Sequence, residues 1–179
     1  MKKIFLPVAS TALLLFTACG SGTSDDNINA GVPTGMVAAD LSGVSEGRMS
    51  VLVNVPDSSS GPLEITANAQ GGADIVVGKN FKMSVTEGTG DMAMKKNDIM
   101  HDDVRKLVKY VVEDPNAIIW EWQIEGMEPE FHFYAIIKDG EKSYEVRDVE
   151  GEIFSEKAAT QMLDAAKSLR SKGAAQPES

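Results

Sequence analysis

Between Ile118 and Val146 the chain alternates apolar and polar side chains through three successive segments. Ile118, Trp120, Trp122 and Ile124 fall on one face, and Glu121 and Gln123 on the other. Gly126 to Pro129 turns the chain, and Phe131, Phe133, Ala135 and Ile137 repeat the pattern with His132 and Tyr134 opposite. Lys138-Asp139-Gly140-Glu141 then leads back to Tyr144 and Val146. A period of two belongs to strands, and Asp-Gly supplies the positive backbone dihedrals of a tight hairpin turn. Strands joined by turns this short must run antiparallel, because a parallel pair needs a crossover of a dozen or more residues. The regular polar positions Glu121, Gln123, Glu145 and Arg147 also exclude a parallel sheet buried on both faces. Whatever the chain folds into is built around this meander.

The same period occurs earlier. Met49, Val51, Val53 and Val55 alternate with Ser50, Leu52 and Asn54, and Pro56 to Gly61 makes a turn. Leu63, Ile65, Ala67 and Ala69 form a second strand, Gly71-Gly72 a turn, and Ile75 to Val77 with Phe81, Met83 and Val85 a hairpin across Gly78-Lys79-Asn80. Glu87 to Lys96, broken by Gly88 and Gly90, reads as a loop. Met100, Val104, Leu107, Val108, Val111 and Val112 recur at three and four residues, the spacing of an amphipathic helix, opened by Asn97 or Asp98 and stopped by Asp114-Pro115-Asn116. Ser155 is placed to cap a last helix that buries Ala159, Met162, Leu163, Ala166 and Leu169. Strands, helix, meander and helix, with no repeat of fixed period, predict an α+β fold: a twisted antiparallel sheet with two helices packed on one face.

Composition narrows the function. The chain has 179 residues, 17 Lys and Arg against 27 Asp and Glu, and a formal charge of −10. Such a surface repels phosphate backbones and argues against nucleic acid as a partner. A single cysteine excludes an internal disulfide and any multi-cysteine zinc or iron–sulfur site.

That cysteine lies in the most specific segment of the chain. Lys2 and Lys3 precede an apolar run from Ile4 to Phe16, interrupted only by Pro7, Ser10 and Thr11. The run is shorter than the roughly 20 residues that span a bilayer and suits the h-region of a secretory leader. Small residues then lead to Thr17-Ala18-Cys19-Gly20. This segment resembles the lipobox of bacterial lipoproteins, over residues 1–20 and no further. The resemblance implies that Cys19 is lipidated at sulfur, with palmitate-type acyl chains, and becomes the mature N-terminus. A leader cut at an Ala-x-Ala-like site is the alternative, and it would leave a stray thiol. Several acyl chains anchor durably where one holds only marginally. Gly20, where inner-membrane retention in many Gram-negative bacteria uses Asp, implies the outer membrane, facing either periplasm or surface. Loss of Lys2 and Lys3 with the leader takes the formal charge from −10 to −12, so the membrane partner is the lipid on Cys19 and not the domain.

The expected organisation is therefore a lipoprotein signal peptide at 1–18, a flexible tether at 19–47 rich in Gly, Ser, Thr, Asp and Asn, a single domain at 48–172, and a frayed tail at 173–179. Within the tether, Met36 to Leu41 has enough apolar character to dock on the domain.

Four groups of residues carry candidate chemistry. Met92, Met94, Met100 and His101 offer soft donors of the kind that hold Cu(I), but Met-x-Met is a weak pattern and methionines also fill gaps in cores. Asp98, Asp102 and Asp103 lack the Asp-x-Asp-x-Asp-Gly order of a calcium loop and read as capping carboxylates. His132, with Glu121, Glu130 or Tyr134, has the makings of an acid–base pair if the strands bring them together, yet no Gly-x-Ser-x-Gly, Ser-x-x-Lys or His-Glu-x-x-His motif accompanies it. Trp120 and Trp122, two apart, face the same way and form either core or the floor of a ligand site. No catalytic residue, metal ligand or cofactor is assigned.

The expectation that results is a lipid-anchored envelope protein whose acidic domain is a non-catalytic binding module. Its partner would be a protein or another envelope macromolecule, taken at a sheet edge or on a surface formed by Trp120, Glu121, Trp122, Gln123, His132 and Tyr134. The alternatives are a small-ligand carrier or sensor with a pocket between sheet and helices near Trp120, Trp122 and Tyr134, and an envelope enzyme using His132 with a carboxylate.

Overall fold

The computed structural model describes residues 28–45 and 49–173. The signal peptide, Cys19 and the terminal tail from residue 174 onward lie outside the described residues. The elements run β1 (Met36–Asp40), β2 (Val51–Pro56), β3 (Leu63–Ala67), β4 (Ala73–Val77), β5 (Phe81–Glu87), α1 (Met92–Met100), β6 (Lys106–Asp114), β7 (Ala117–Gln123), β8 (Glu130–Asp139), β9 (Lys142–Asp148), α2 (Glu156–Lys167) and β10 (Arg170–Ser171). Seven strands form an antiparallel sheet in the order β3-β4-β5-β9-β8-β7-β6, and β1, β2 and β10 form a second antiparallel sheet with β2 in the middle. The fold is α+β.

The meander stands where the alternation puts it, and it is one strand longer than expected. β7 pairs with β8, and β8 with β9 through a two-residue turn at Gly140-Glu141, with Gly140 at φ +61°. The fourth strand is β6, which covers most of the segment whose spacing predicts a helix. The register explains the difference. Leu107 lies opposite Trp122 and Tyr110 opposite Trp120, so residues two apart on β7 face residues three apart on β6. Shifts between Leu107 and Lys109 and between Tyr110 and Val112 each insert an extra residue. A bulge puts two residues opposite one and bends the strand, and two bulges in nine residues imitate a helical period. The helix itself begins upstream, in the stretch expected to be a loop, and ends at Met100, inside the opening turn of the expected helix. Asp91 caps α1 by accepting from the Met94 N–H at 2.9 Å. Only Ile99 of its nine residues is buried, so there is no apolar stripe to read.

α2 matches its expectation. Ser155 accepts from the Ala158 N–H, and Ala158, Ala159, Met162, Leu163, Ala165 and Ala166 are buried. Leu169, read as part of this helix, is buried just beyond its end. The helix packs on Ala117, Ile119, Phe133, Ala135, Tyr144 and Val146 of the large sheet and on Val51, Val53 and Val55 of the small one. The other face of β7 and β8 carries Ile118, Trp120, Trp122, Tyr134 and Ile136, and these form a second cluster with Ile99 of α1. The two helices therefore cover opposite faces of the large sheet, a correction to the single helical layer expected.

β1 corrects the reading of residues 19–47 as tether. Met36 to Asp40 pairs in register with Pro56 to Leu52, and Ala39 and Leu41 are buried. Asn29 Oδ1 accepts from the Ala38 N–H at 2.8 Å, tying residues ahead of the strand to it. Leu52 and Asn54 on the second face of β2 are buried too, with the Arg170 guanidinium donating to Asn54 Oδ1 at 2.9 Å.

Candidate functional site

The α1 face of the large sheet changes character across the strands. Beneath α1 it is aromatic, with Tyr110, Trp120, Trp122 and Tyr134. Toward β9 and β5 it becomes polar, with Glu145, Arg147, Ser84 and Thr86 in register beside one another. At the junction, one end of β7, β8 and β9 meets α1 and the links that follow α1 and β9. There a cavity of about 330 Å³ is lined by Lys95, Arg105, Trp120, Trp122, His132, Phe133, Arg147, Asp148, Glu150 and Gly151. That volume is within the range that holds small ligands.

His132 is central to the wall. It lies directly opposite Trp120 in the ladder. Its ring stacks on Trp120 at 5.6 Å between centroids and meets Trp122 edge-on at 5.1 Å, while the indoles meet each other edge-on at 5.4 Å. Asp148 fixes the imidazole: Oδ2 lies 2.7 Å from Nδ1, and Oδ1 accepts from the Phe133 N–H at 2.8 Å. A carboxylate only accepts, so Nδ1 is the donor of this bond. Nε2 is buried without a hydrogen-bond partner among the described residues, Glu130 Oε2 standing 3.6 Å away. The indole N–H groups of Trp120 and Trp122 are likewise buried and unpartnered. Buried polar atoms are nearly always satisfied, so three such atoms on three adjoining rings of one cavity are a local exception.

Three cations stand around these rings. Arg105 lies over Trp122, its Cζ 4.0 Å from the ring centroid, and is held there by Asp102 at 3.1 Å. Asp102 also accepts from the Val104 and Arg105 backbone N–H groups. Burial acts to raise the Asp102 carboxyl, but these hydrogen bonds and the guanidinium hold it below the usual carboxylate range. Arg147 pairs with Glu150 at 2.5 Å. Lys95, half-buried on α1, lies over Trp120 at 5.4 Å and Tyr134 at 5.7 Å. Desolvation pushes its ammonium below the ordinary lysine range, Asp148, Asp98 and Glu150 pulling it back up and Arg147 adding to the depression. Tyr134 donates to Glu145 Oε2 at 2.9 Å, and burial and that carboxylate push its hydroxyl well above the usual tyrosine value. Gly90 makes this packing possible. It sits at φ +57°, and a Cβ there would lie 2.7 Å from the Tyr134 hydroxyl and 2.9 Å from Ile136.

Of the candidate binding surface, the structure brings together Trp120, Trp122, His132 and Tyr134 and separates Glu121 and Gln123 from them. The register sets Glu121 opposite Phe131, so His132 meets neither Glu121 nor Gln123. Its carboxylate is Asp148, sixteen residues away on the next strand. Glu121 instead approaches Lys109 at 3.3 Å, and Gln123 donates to the Ile124 and Met127 carbonyls. The candidate soft donors also disperse. Met94 and Met100 are exposed, Met92 packs against the second cluster, and His101 Nδ1 lies 2.8 Å from the Asn97 carbonyl. Among the described residues no group of three or more His, Cys, Asp or Glu is placed to hold a metal. Sequence reasoning missed Lys95, Arg105, Arg147 and Asp148. Only the alternation of β9, which sets Arg147 on the polar side of the strand, hinted at any of them.

His132 and Asp148 have the geometry of a base and its orienting carboxylate. Among the cavity-lining residues none is a serine, threonine or cysteine for such a base to activate. Comparison with family models, with curated proteins and with solved structures returns no match, so the reading of this site rests on its own chemistry.

Proposed function

We propose that this chain is a lipid-anchored protein of the bacterial cell envelope whose domain holds a small ligand in the cavity beside Trp120, Trp122 and His132, as a carrier or sensor. The observation that carries this reading is the set of three buried ring nitrogens, unpartnered among the described residues, on side chains lining one cavity of ligand size. The anchor would be Cys19, through the lipobox resemblance, with the outer membrane as its address. Native mass spectrometry of the protein released gently from a cell envelope tests the ligand. A mass excess that vanishes on denaturation is expected. A bare chain mass, together with tryptophan fluorescence unchanged by envelope extract, would overturn the reading. The anchor is tested separately: Cys19→Ser should move the protein from the membrane to the soluble fraction and abolish palmitate labelling.

A macromolecular partner is the second reading, and one observation favours it. Met94, Met100, Val104 and Val108 expose apolar side chains along α1 and the start of β6, more than isolated surface hydrophobes account for. Addition at a sheet edge has less support. β6 is broken by two bulges and carries Lys106 and Lys109, and β3 is five residues long and follows Pro62, the features by which edges avoid pairing. In this reading, cross-linking from residues 94 and 104 captures a partner and Met100→Glu abolishes the capture.

A further inference from the structure

We propose that the cavity selects an organic anion, a carboxylate or a phosphate monoester, and that the Lys95 ammonium is its seat; this rests on the reading of the cavity as a ligand site. Lys82, Lys96, Lys109, Lys142 and Lys172 each reach a carboxylate of this acidic chain, and Lys79, Lys106, Lys138, Lys157 and Lys167 stand exposed to water. Lys95 reaches none within ion-pair distance among the described residues, and its contacts are the ring faces of Trp120 and Tyr134. Cation–π contact returns only part of what an ammonium loses on leaving water.

The carboxylates nearest to it are already committed. Both oxygens of Asp148 are engaged, by His132 and by the Phe133 N–H. Glu150 pairs with Arg147, and Asp102 with Arg105. Asp98, on the same helix as Lys95, is exposed and does not line the cavity. Among the described residues, the unpartnered buried atoms around the cavity include the two indole N–H donors and Nε2 of His132. Donors and an unpaired cation suit an anionic group.

The ring faces argue against stacking as the basis of selection. Trp120 already carries His132 and Lys95, and Trp122 carries Arg105. A planar aromatic ligand competes with these side chains for the indole faces, whereas a compact anion finds Lys95 with Arg105 and Arg147 around it. Burial lowers the Lys95 pKa below the ordinary lysine range, and an arriving anion would raise it again.

The test uses the full chain with glutarate and glycerol 3-phosphate as probes, against their neutral counterparts glutaramide and glycerol and against the dication putrescine. Both tryptophans line the cavity, so intrinsic fluorescence reports occupancy. The two anions are expected to bind, and their relative affinities separate carboxylate from phosphate monoester. The neutral and cationic compounds are expected to be at least about tenfold weaker, the worth of one charge-assisted hydrogen bond. Lys95→Met and Lys95→Gln should each lose about tenfold with the melting temperature unchanged or higher, and Lys95→Arg should retain binding. Equal binding of the neutral compounds, or full affinity in both Lys95 variants, would overturn the anion inference while leaving a ligand seen by native mass spectrometry in place. Failure of both anions to bind overturns the inference as well. Loss of the ligand mass excess in the native protein is the separate result that overturns the cavity reading itself.

Discussion

The two faces of β7 and β8 come from the same residues taken alternately, and they are finished in opposite ways. On the α2 face, Ala117, Ile119, Phe133 and Ala135 meet Ala159, Met162, Leu163 and Ala166 in an apolar cluster that runs on into the small sheet. On the α1 face, one step along each strand, two indoles, an imidazole and a phenol lie under a helix that buries a single residue. Three ring nitrogens there have no hydrogen-bond partner among the described residues. The first face has the composition of a core built for stability. The second buries polar atoms and part of a lysine that has no counterion among the described residues, arrangements that cost stability and concentrate at functional sites. One sheet thus sets the stabilising core and the proposed ligand site on opposite faces.

This contrast can be broken at four points. Leu163→Ala on the α2 face should cost about 2–5 kcal/mol in urea unfolding and leave the fluorescence response to anions intact. A loss below about 1 kcal/mol would mean that the apolar face is not the stabilising one. Gly90→Ala acts from the other side, because a left-handed residue and a methyl against the Tyr134 hydroxyl should cost about 1–3 kcal/mol and disturb anion binding as well. Ser155→Ala removes the α2 cap and should cost about 1 kcal/mol with no effect on ligand.

The smallest change is the most diagnostic. Lys95→Met should not lower stability at neutral pH, since its ammonium is held in the fold with a depressed pKa. The sign follows from linkage. A lysine whose folded pKa lies below its unfolded value penalises the fold at any pH where it is charged, and the penalty fades as pH rises from the folded value toward about 10.4. Melting curves at pH 7 and at pH 10.5 should therefore show the variant's advantage over the parent shrinking on the alkaline side. An advantage that grows there would contradict the assignment.

Strand alternation was legible wherever a strand has one buried face and no bulge. β4, β5 and β8 were placed from Ile75, Phe81, Met83, Phe133 and their neighbours, and His132 and Tyr134 were set opposite Phe131 and Phe133 as observed. The β6 segment misled because Leu107 and Tyr110 contact residues two apart while standing three apart themselves. α1 was invisible because one anchor, Ile99, makes no period. The site was half legible. The two tryptophans and His132 announced themselves by type, but their partners come from other elements: Lys95 from a helix the pattern concealed, Arg105 from a link, and Asp148 through a register that no local spacing encodes. Charges recruited across strands leave no periodic trace.

The small sheet has a consequence in time. β2 pairs on one side with β1, close to it in sequence, and on the other with Arg170 and Ser171, more than a hundred residues later. Asn54 meets Arg170, Asp139 accepts from Ser171, and Lys172 joins Asp40 and the Ser50 carbonyl. A ribosome releases the chain from its N-terminus. Both strands of the β1–β2 pair are therefore supplied early, and the second edge of β2 has no partner strand until residues 170–172 follow. A chain interrupted before them carries every residue of the meander and its aromatic cavity wall, but not the clasp that closes the small sheet.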